Sequence, residues 1–413
     1  MTSADDEGRG VLPKLRFPEF RDAGEWAPAS LGQFLTESRI VGGKGDSARK
    51  LTVKLWGGGV FAKNEARSGS ENTQYYKRSA GQFIYSKLDF LNQAFGIIPA
   101  HLDGLESTVD LPCFDIGAGL SPKFLLEYVQ RDQFFRRNGE LADGGRKAKR
   151  IQVEDFLSFS INLPPLPAEQ KKIAECLSSF DDLIEAEGER LAALRKYKNG
   201  LMQQLFPRPE RIENGEKIPA ETTPRLRFPE FRNAGKWEPR SLGAISVMKA
   251  GSYIAAADIV EFPSDGLYPC YGGNGLRGYA RTHTHNGRYS LIGRQGALCG
   301  NVNFVAGKFH ATEHAVVVTP DANVSNEWLY HALVQLNLNR FATGQAQPGL
   351  SVEILERVDC TTPRDKREQQ AVADSLSAAD VLISTQEQRL AALKLHKSGL
   401  MQQLFPSPSE ASA

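Results

Sequence analysis

Disulfide chemistry is the first thing this sequence lacks. Its five cysteines (Cys113, Cys176, Cys270, Cys299, Cys360) are odd in number, scattered, and contain no C-x-x-C pair, a pattern that suits a reducing compartment. Long apolar runs are missing as well. Stretches such as "HAVVVTP" fall far short of a bilayer span, so no transmembrane helix is expected. The opening "MTSADDEGRGV" is acidic and has no apolar core, so no secretory signal is expected and the cytoplasm is the expected location. Nor is there an excess of one charge. With 50 basic and 49 acidic residues the formal net charge is +1, which argues against a protein that coats nucleic acid by bulk electrostatics and leaves room only for local basic patches.

Catalytic signatures are scarce too. There is no G-x-x-x-x-G-K-[ST] phosphate loop, no G-x-S-x-G elbow and no H-E-x-x-H pair. The stretch "NLPPL" at 162–166 lacks the aromatic residue with which an Asn-Pro-Pro-Tyr adenine methyltransferase would stack a flipped base. Gly273–Gly278 satisfies G-x-G-x-x-G, but a β-like stretch follows where a dinucleotide fold needs a helix, so a turn is expected there. Cys270, His283, His285, Cys299, His310 and His314 crowd the same region without finger-type spacing, and no metal site is expected. Chemistry, on this reading, is left to another molecule.

What the sequence does contain is repetition. "GLMQQLFP" starts at Gly200 and again at Gly399, 199 residues later, and "ERLAALRKYKN" falls on "QRLAALKLHKS" at the same offset. Upstream, "PKLRFPEFRDAGEWAPASLG" (13–32) matches "PRLRFPEFRNAGKWEPRSLG" (224–243) at about fifteen of twenty positions, at an offset of 211. Between the matched ends, roughly 33–144 and 244–343, the two halves hardly resemble one another. Two similar frames hold two unlike inserts.

The C-terminal part of each frame is helical by period. Ile173, Leu177, Phe180, Ile184, Leu191, Leu194, Leu201 and Leu205 step by three and four, with Glu187 and Lys198 breaking the seam; in the second copy Gln386 and Lys397 break it at the same points. Each helix should run about 38 residues, roughly 57 Å, and the other copy is the obvious partner for its seam. The inserts are mixed α/β with many short β-like stretches, the second predicting a sheet with the helix "NEWLYHALVQLNLNRF" on it.

Candidate binding residues lie where the inserts regain alignment before the long helices. In the first half Arg146, Lys147, Lys149 and Arg150 are cations suited to phosphates or guanine edges; in the second Gln345 and Gln347 offer the amide pattern that suits adenine. Lys77 and Arg78, within a Tyr-Tyr-Lys-Arg cluster, and Arg277, Arg294 and Gln295 are weaker candidates of the same kind. The helix tips Met202, Leu205, Phe206, Met401, Leu404 and Phe405 suit either coiled-coil packing or the docking of a partner.

Over essentially its full length the chain resembles the specificity subunit of type I restriction-modification systems. The resemblance rests on the inserts closed by "LPPLPAEQKKIA" and "TTPRDKREQQAVA", on the helices ending "GLMQQLF", and on the "YPCYGGNGLRGY…LIGRQG…TGQAQPGLS" pattern. It implies an α+β fold: two α/β target-recognition domains, at 13–165 and 224–364, separated by a pair of long antiparallel helices at 166–207 and 365–406. A linker at 208–223 and tails at 1–12 and 407–413 complete the expected division. The resemblance further implies a non-catalytic subunit that reads a bipartite site on double-stranded DNA, each domain taking one half. Two adenine methyltransferase subunits and ATP-dependent restriction subunits would be its partners, and S-adenosylmethionine, ATP and Mg would sit on them, leaving this chain no cofactor. Arg364 stands where the first copy has Pro165, so the start of the second helix is open to change. Two competing readings are a stand-alone DNA-binding or architectural protein with a coiled-coil spacer, and an enzyme holding a nucleotide on the Gly-rich insert.

Overall fold

The computed structural model describes residues 10–63, 70–140, 150–213, 216–296, 298–344 and 348–406. Among them the chain forms helices α1 (Pro122–Val129), α2 (Asp132–Gly139), α3 (Val153–Ser158), α4 (Pro167–Leu205), α5 (Asn326–Gln335), α6 (Val352–Glu356) and α7 (Lys366–Leu404). It divides into two units, one of residues 1–188 and 389–413, the other of 189–388. Each unit therefore holds one insert, the first half of the long helix that follows it, and the second half of the other long helix. A short hairpin, Arg211–Glu213 with Glu216–Ile218, occupies the polar stretch expected as a linker.

Alternation along short strands builds the first unit. Its largest sheet has four strands in the order Leu35–Ser38, Cys113–Ile116, Phe83–Tyr85 and Phe95–Ile97. Phe83 and Tyr85 point into one core and Ile84 into another, as the two-residue period of a strand requires. The first core is aromatic: the Phe83 and Phe156 rings stack with centroids 5.5 Å apart, and Phe156 lies 4.5 Å from Tyr85.

A six-stranded sheet carries the second unit. Its order is Ser246–Ala250, Ala315–Pro320, His285–Gly293, Val302–Ala311, Tyr268–Gly272 and Gly275–Ala280. Val316 and Val318 face the core under α5, while Val317 faces a smaller cluster with Phe309. With both faces covered, the strand reads as the unbroken run "AVVV" instead of alternating with polar residues.

The long helices are 39 residues each, close to the length their period predicts. They start 199 residues apart, at Pro167 and Lys366, so Arg364 leaves the start of α7 in register; its guanidinium pairs with Glu238. Within each unit the two half-helices run antiparallel. In the first, Lys397 meets Asp181 at 2.7 Å and Arg389 meets Glu187 at 2.7 Å; in the second, Lys198 meets Asp380 at 2.5 Å and Arg195 meets Glu387 at 2.6 Å. The two lysines that interrupt the apolar seam thus fall opposite equivalent aspartates.

The start of each helix is locked to its insert by one repeated arrangement. The Glu169 carboxylate accepts from Arg16 Nε at 2.8 Å and Nη2 at 2.7 Å, and Glu368 accepts from Arg227 at 2.7 and 2.8 Å. These hydrogen bonds raise both guanidinium pKa values above the ordinary arginine value. The next residue, Gln170 or Gln369, accepts the backbone N–H of Ser121 or Ser325, and each serine caps the helix α1 or α5 that follows it. The pair that Glu169 forms with Arg16 spans 153 residues of chain.

The helix tips are packed in the cores of the inserts. Phe206 meets Trp237 edge-on at 6.0 Å and Trp328 at 6.2 Å, with Met202 and Leu205 in the same core. Phe405 meets Trp26 edge-on at 6.2 Å and Phe124 at 5.3 Å, with Leu404 buried and Met401 packed against them. The tips pack, but into the insert cores and not along the helix seam, and the chain itself covers them. Each serves the insert of the opposite repeat. The repeated "LRFPEF" segment completes the seat: Leu15 N–H donates to Gln403 O and Leu226 N–H to Gln204 O, both at 2.9 Å.

Candidate nucleic-acid interface

In the second unit the G-x-G-x-x-G segment is a hairpin tip. Gly272 pairs with Gly275, leaving Gly273 and Asn274 as the connecting residues, so the segment is the turn its sequence suggested. The tip rests on the end of the strand His285–Gly293. A Cβ on Gly293 would run into the Gly273 carbonyl, so only glycine permits this approach. The loop before α6 closes on the same strand end. Leu350 N–H donates to Arg294 O at 2.9 Å and Gly296 N–H to Pro348 O at 3.0 Å, while Thr343 and Gly349 exchange both backbone bonds.

The hairpin tip, the strand end and His314 surround a concavity of about 410 Å³, lined by Gly272–Arg277, Gln295, Gly296 and His314. Arg277 and Gln295 are exposed on it, and the half-buried Arg294, next to Gln295 in the chain, has Nη1 3.5 Å from Glu313 O. Gln345 and Gln347 belong to the closing loop but lie outside the described residues. Sequence reasoning missed Asn274 as a site residue, although its place at a glycine hairpin tip was a usable signal, and weighed His314 only as a metal ligand. The other histidines serve the sheet: His285 stacks on Phe309 at 5.4 Å, with burial lowering its pKa, and His310 Nδ1 lies 3.1 Å from Thr282 Oγ1.

The first unit builds an equivalent corner from different residues. Ile151, 199 residues before Leu350, donates its N–H to Lys87 O at 3.1 Å, so Lys87 stands where Arg294 stands in the second unit. The buried Tyr85 hydroxyl, its pKa pushed up by burial, donates to the carbonyl oxygens of Ile151 and Gln152, both at 3.1 Å, and ties this loop to the aromatic core. Arg150 is exposed beside it, and Lys87 Nζ donates to Gln152 Oε1 at 3.3 Å. Arg146, Lys147 and Lys149 lie outside the described residues. Lys87 was not picked out from the sequence, since a lone lysine carries no pattern.

Lys77 is exposed on the strand Gln74–Lys77, whereas its neighbour Arg78 is 2% exposed. The Arg78 guanidinium donates to Ser38 O at 2.6 Å and Ser107 Oγ at 2.8 Å, and burial lowers its pKa. In this structure Arg78 ties strands together and offers no face to a phosphate.

A family model described as the type I restriction modification DNA specificity domain matches residues 124–196 and 234–395, more than half of the chain. The chain belongs to that family. Among curated proteins it is similar to the type I restriction enzyme EcoprrI specificity subunit of Escherichia coli, 45% identical over 144 residues, or 35% of each chain. It is also similar to a putative type I restriction enzyme specificity subunit, S.HindORF215P, of Haemophilus influenzae, 30% identical over 101 residues, or 24% of this chain and 26% of that one. The chain thus spans about a third and about a quarter of these relatives' lengths. A solved S subunit of a type I restriction-modification system from M. genitalium covers 96% of this chain and all of its own, with a TM-score of 0.63 at 16% identity. That likeness is one of fold, and with it the mixed α and β architecture with two specificity domains and a pair of long helices is established for this family member.

Proposed function

We propose that this family member is the DNA-reading subunit of a type I restriction-modification complex, each insert reading one half of a bipartite duplex site. The observation that carries this reading is the equivalent corner in the two units: one backbone bond, Ile151 to Lys87 or Leu350 to Arg294, with Lys87 and the exposed Arg150 at the first and Arg294 and the exposed Gln295 at the second. A constant frame with unlike polar tips suits two readers of different sequence. Guanidinium and amide groups on a concave surface match the donor and acceptor edges of guanine and adenine, and lysines match phosphates. The chain brings no cofactor to the reaction on this reading. Adenine methylation and ATP-dependent cleavage fall to partner subunits that hold S-adenosylmethionine, ATP and Mg, and the assembly works in the cytoplasm.

Co-purification from the native cell tests the assignment. A methyltransferase recovered in stoichiometric amount is expected, together with methylated adenines at a split genomic site that disappear when the gene is deleted. A chain that purifies alone and binds DNA with full specificity would support a stand-alone binder instead.

A further inference from the structure

Three of the four tryptophans are buried in cores, Trp26, Trp237 and Trp328 at 2% exposure or less; Trp56 is 64% exposed. It sits in the loop joining the strands Leu51–Val53 and Val60–Ala62. Its φ of +57° is the left-handed conformation, an outlier for a bulky residue, and Gly57 and Gly59 beside it also have positive φ. The loop is nevertheless pinned. Trp56 N–H donates to Asn92 O at 2.7 Å, Gly57 N–H to Gln93 O at 3.1 Å, and Lys54 N–H to Gly59 O at 2.9 Å. Among the described residues the indole makes no hydrogen bond and no ring contact. A rigid loop thus holds a large aromatic side chain out in water, at a cost in backbone strain that folding alone does not require.

Asn92 and Gln93 lie on the connection between Phe83–Tyr85 and Phe95–Ile97, and that same connection begins with Ser86 and Lys87. Trp56 is therefore anchored to the segment that carries the first unit's candidate reading corner. Its loop also carries a cation: Lys54 Nζ lies 3.9 Å above the Phe61 ring. The second unit has no exposed tryptophan, its most exposed aromatic side chains being Tyr253 and Phe262, so the two inserts present different aromatic groups, as two unlike half-sites of DNA would require.

We propose that Trp56 is a DNA-contacting residue of the first unit, its indole stacked on or wedged against the bases of the first half-site while Lys54 meets a phosphate. This inference rests on the proposed reading of the chain as a DNA-binding subunit. The buried tryptophans emit as well, so the contribution of Trp56 is the difference between the wild type and Trp56→Phe. The experiment uses the full-length chain, co-purified with its methyltransferase, and a dye-labelled duplex carrying the mapped methylation site. Binding is followed by dye anisotropy and contact by tryptophan emission, for the wild type, Trp56→Phe and Trp56→Ala. The expected result is quenching of wild-type emission at DNA saturation that is absent in Trp56→Phe, near-normal affinity for Trp56→Phe, and roughly tenfold weaker binding for Trp56→Ala, as removal of one stacking platform requires. Duplex bound by all three with equal affinity and no change in wild-type emission would overturn the role of Trp56 and leave the reading of the chain intact. Loss of methyltransferase co-purification in Trp56→Ala, with no change of wild-type emission on adding DNA, would overturn it in favour of a protein contact. If the complex binds no duplex at all, the reading itself falls, and this inference with it.

Discussion

Trp26 donates its indole N–H to the carboxylate of Glu169 at 3.3 Å, across 143 residues of chain, and Trp237 does the same to Glu368 at 3.0 Å. Both carboxylates are almost fully buried, and each also holds an arginine. Removing one partner leaves the other charge buried and uncompensated, a loss of about 3–5 kcal/mol. Glu169→Ala is therefore expected to loosen the first unit by that amount and leave the second at wild-type stability, with Glu368→Ala showing the reverse. Hydrogen exchange resolved by peptide would read this directly, and equal loosening of both units would disprove the locality of the clamp.

The helix tips predict a crossed pattern. Phe405 lies in the second repeat but packs in the first unit, under the Arg131 guanidinium at 4.6 Å, while Phe206 packs on Trp237 and Trp328 in the second. Truncating a buried phenylalanine costs about 3–5 kcal/mol. Phe405→Ala should therefore expose peptides around Trp26 and Phe124, and Phe206→Ala peptides around Trp237 and Trp328. Protease cleavage mapped by mass spectrometry would reveal which insert opens.

Periodicity exposed the long helices because the apolar spacing of Ile173, Leu177 and Leu191 is local and repeats 199 residues later. The crossing of the tips was hidden, since Phe206 reads the same whichever core receives it; only tertiary structure pairs it with Trp328. Arg78 shows the other limit. Residue type marks it as basic, but its burial follows from tertiary contacts, and the carbonyl of Ser38 that captures it is 40 residues away. The grouping of Arg277 with Gln295 was likewise invisible, because a hairpin tip, a strand end and a loop meet only once the sheet has formed.

A pH dependence should follow from His331. Burial lowers its pKa from the ordinary 6.5 to about 4, reinforced by Lys198 and opposed by Asp380, and its Nδ1 is buried without a hydrogen-bond partner. A group that stays neutral in the folded state but protonates when unfolded contributes stability above pH 6.5 that is lost as pH falls toward 4. The full loss is about 3 kcal/mol. The corresponding helix position in the first unit holds Glu127, whose pKa burial raises, so that unit does not share the loss. Thermal unfolding between pH 7 and pH 4 should show the second unit weakening first, and His331→Asn should flatten the trend.

Salt dependence offers a test of the first reading loop. If Arg146, Lys147, Lys149 and Arg150 meet phosphates, replacing all four by alanine should flatten the slope of log K against log salt by up to about 0.9 for each phosphate no longer neutralised. An unchanged slope would mean that other cations of the insert neutralise the DNA backbone.

The matched seats make one further outcome testable. A fragment of residues 1–208 carries the tip Met202, Leu205 and Phe206, whose partner insert is missing, and an insert whose own seat, beside Trp26 and Phe124, lacks the tip of Phe405. Phe206 and Phe405 meet Trp237 and Trp26 at nearly the same distance and the same 85° angle, so the tip of one fragment fits the seat of another. Lys198 would likewise find the Asp181 of the second copy, as Lys397 does in the whole chain. Two copies should therefore exchange tips and form a dimer with true two-fold symmetry. Such symmetry imposes a palindrome on the DNA it reads. Co-expressed with the methyltransferase, the fragment is expected to direct methylation to an interrupted palindrome built from the first half-site, and sequencing of modified adenines would show it. A fragment that stays monomeric, or one that methylates the original asymmetric site, would mean that the two seats are not interchangeable.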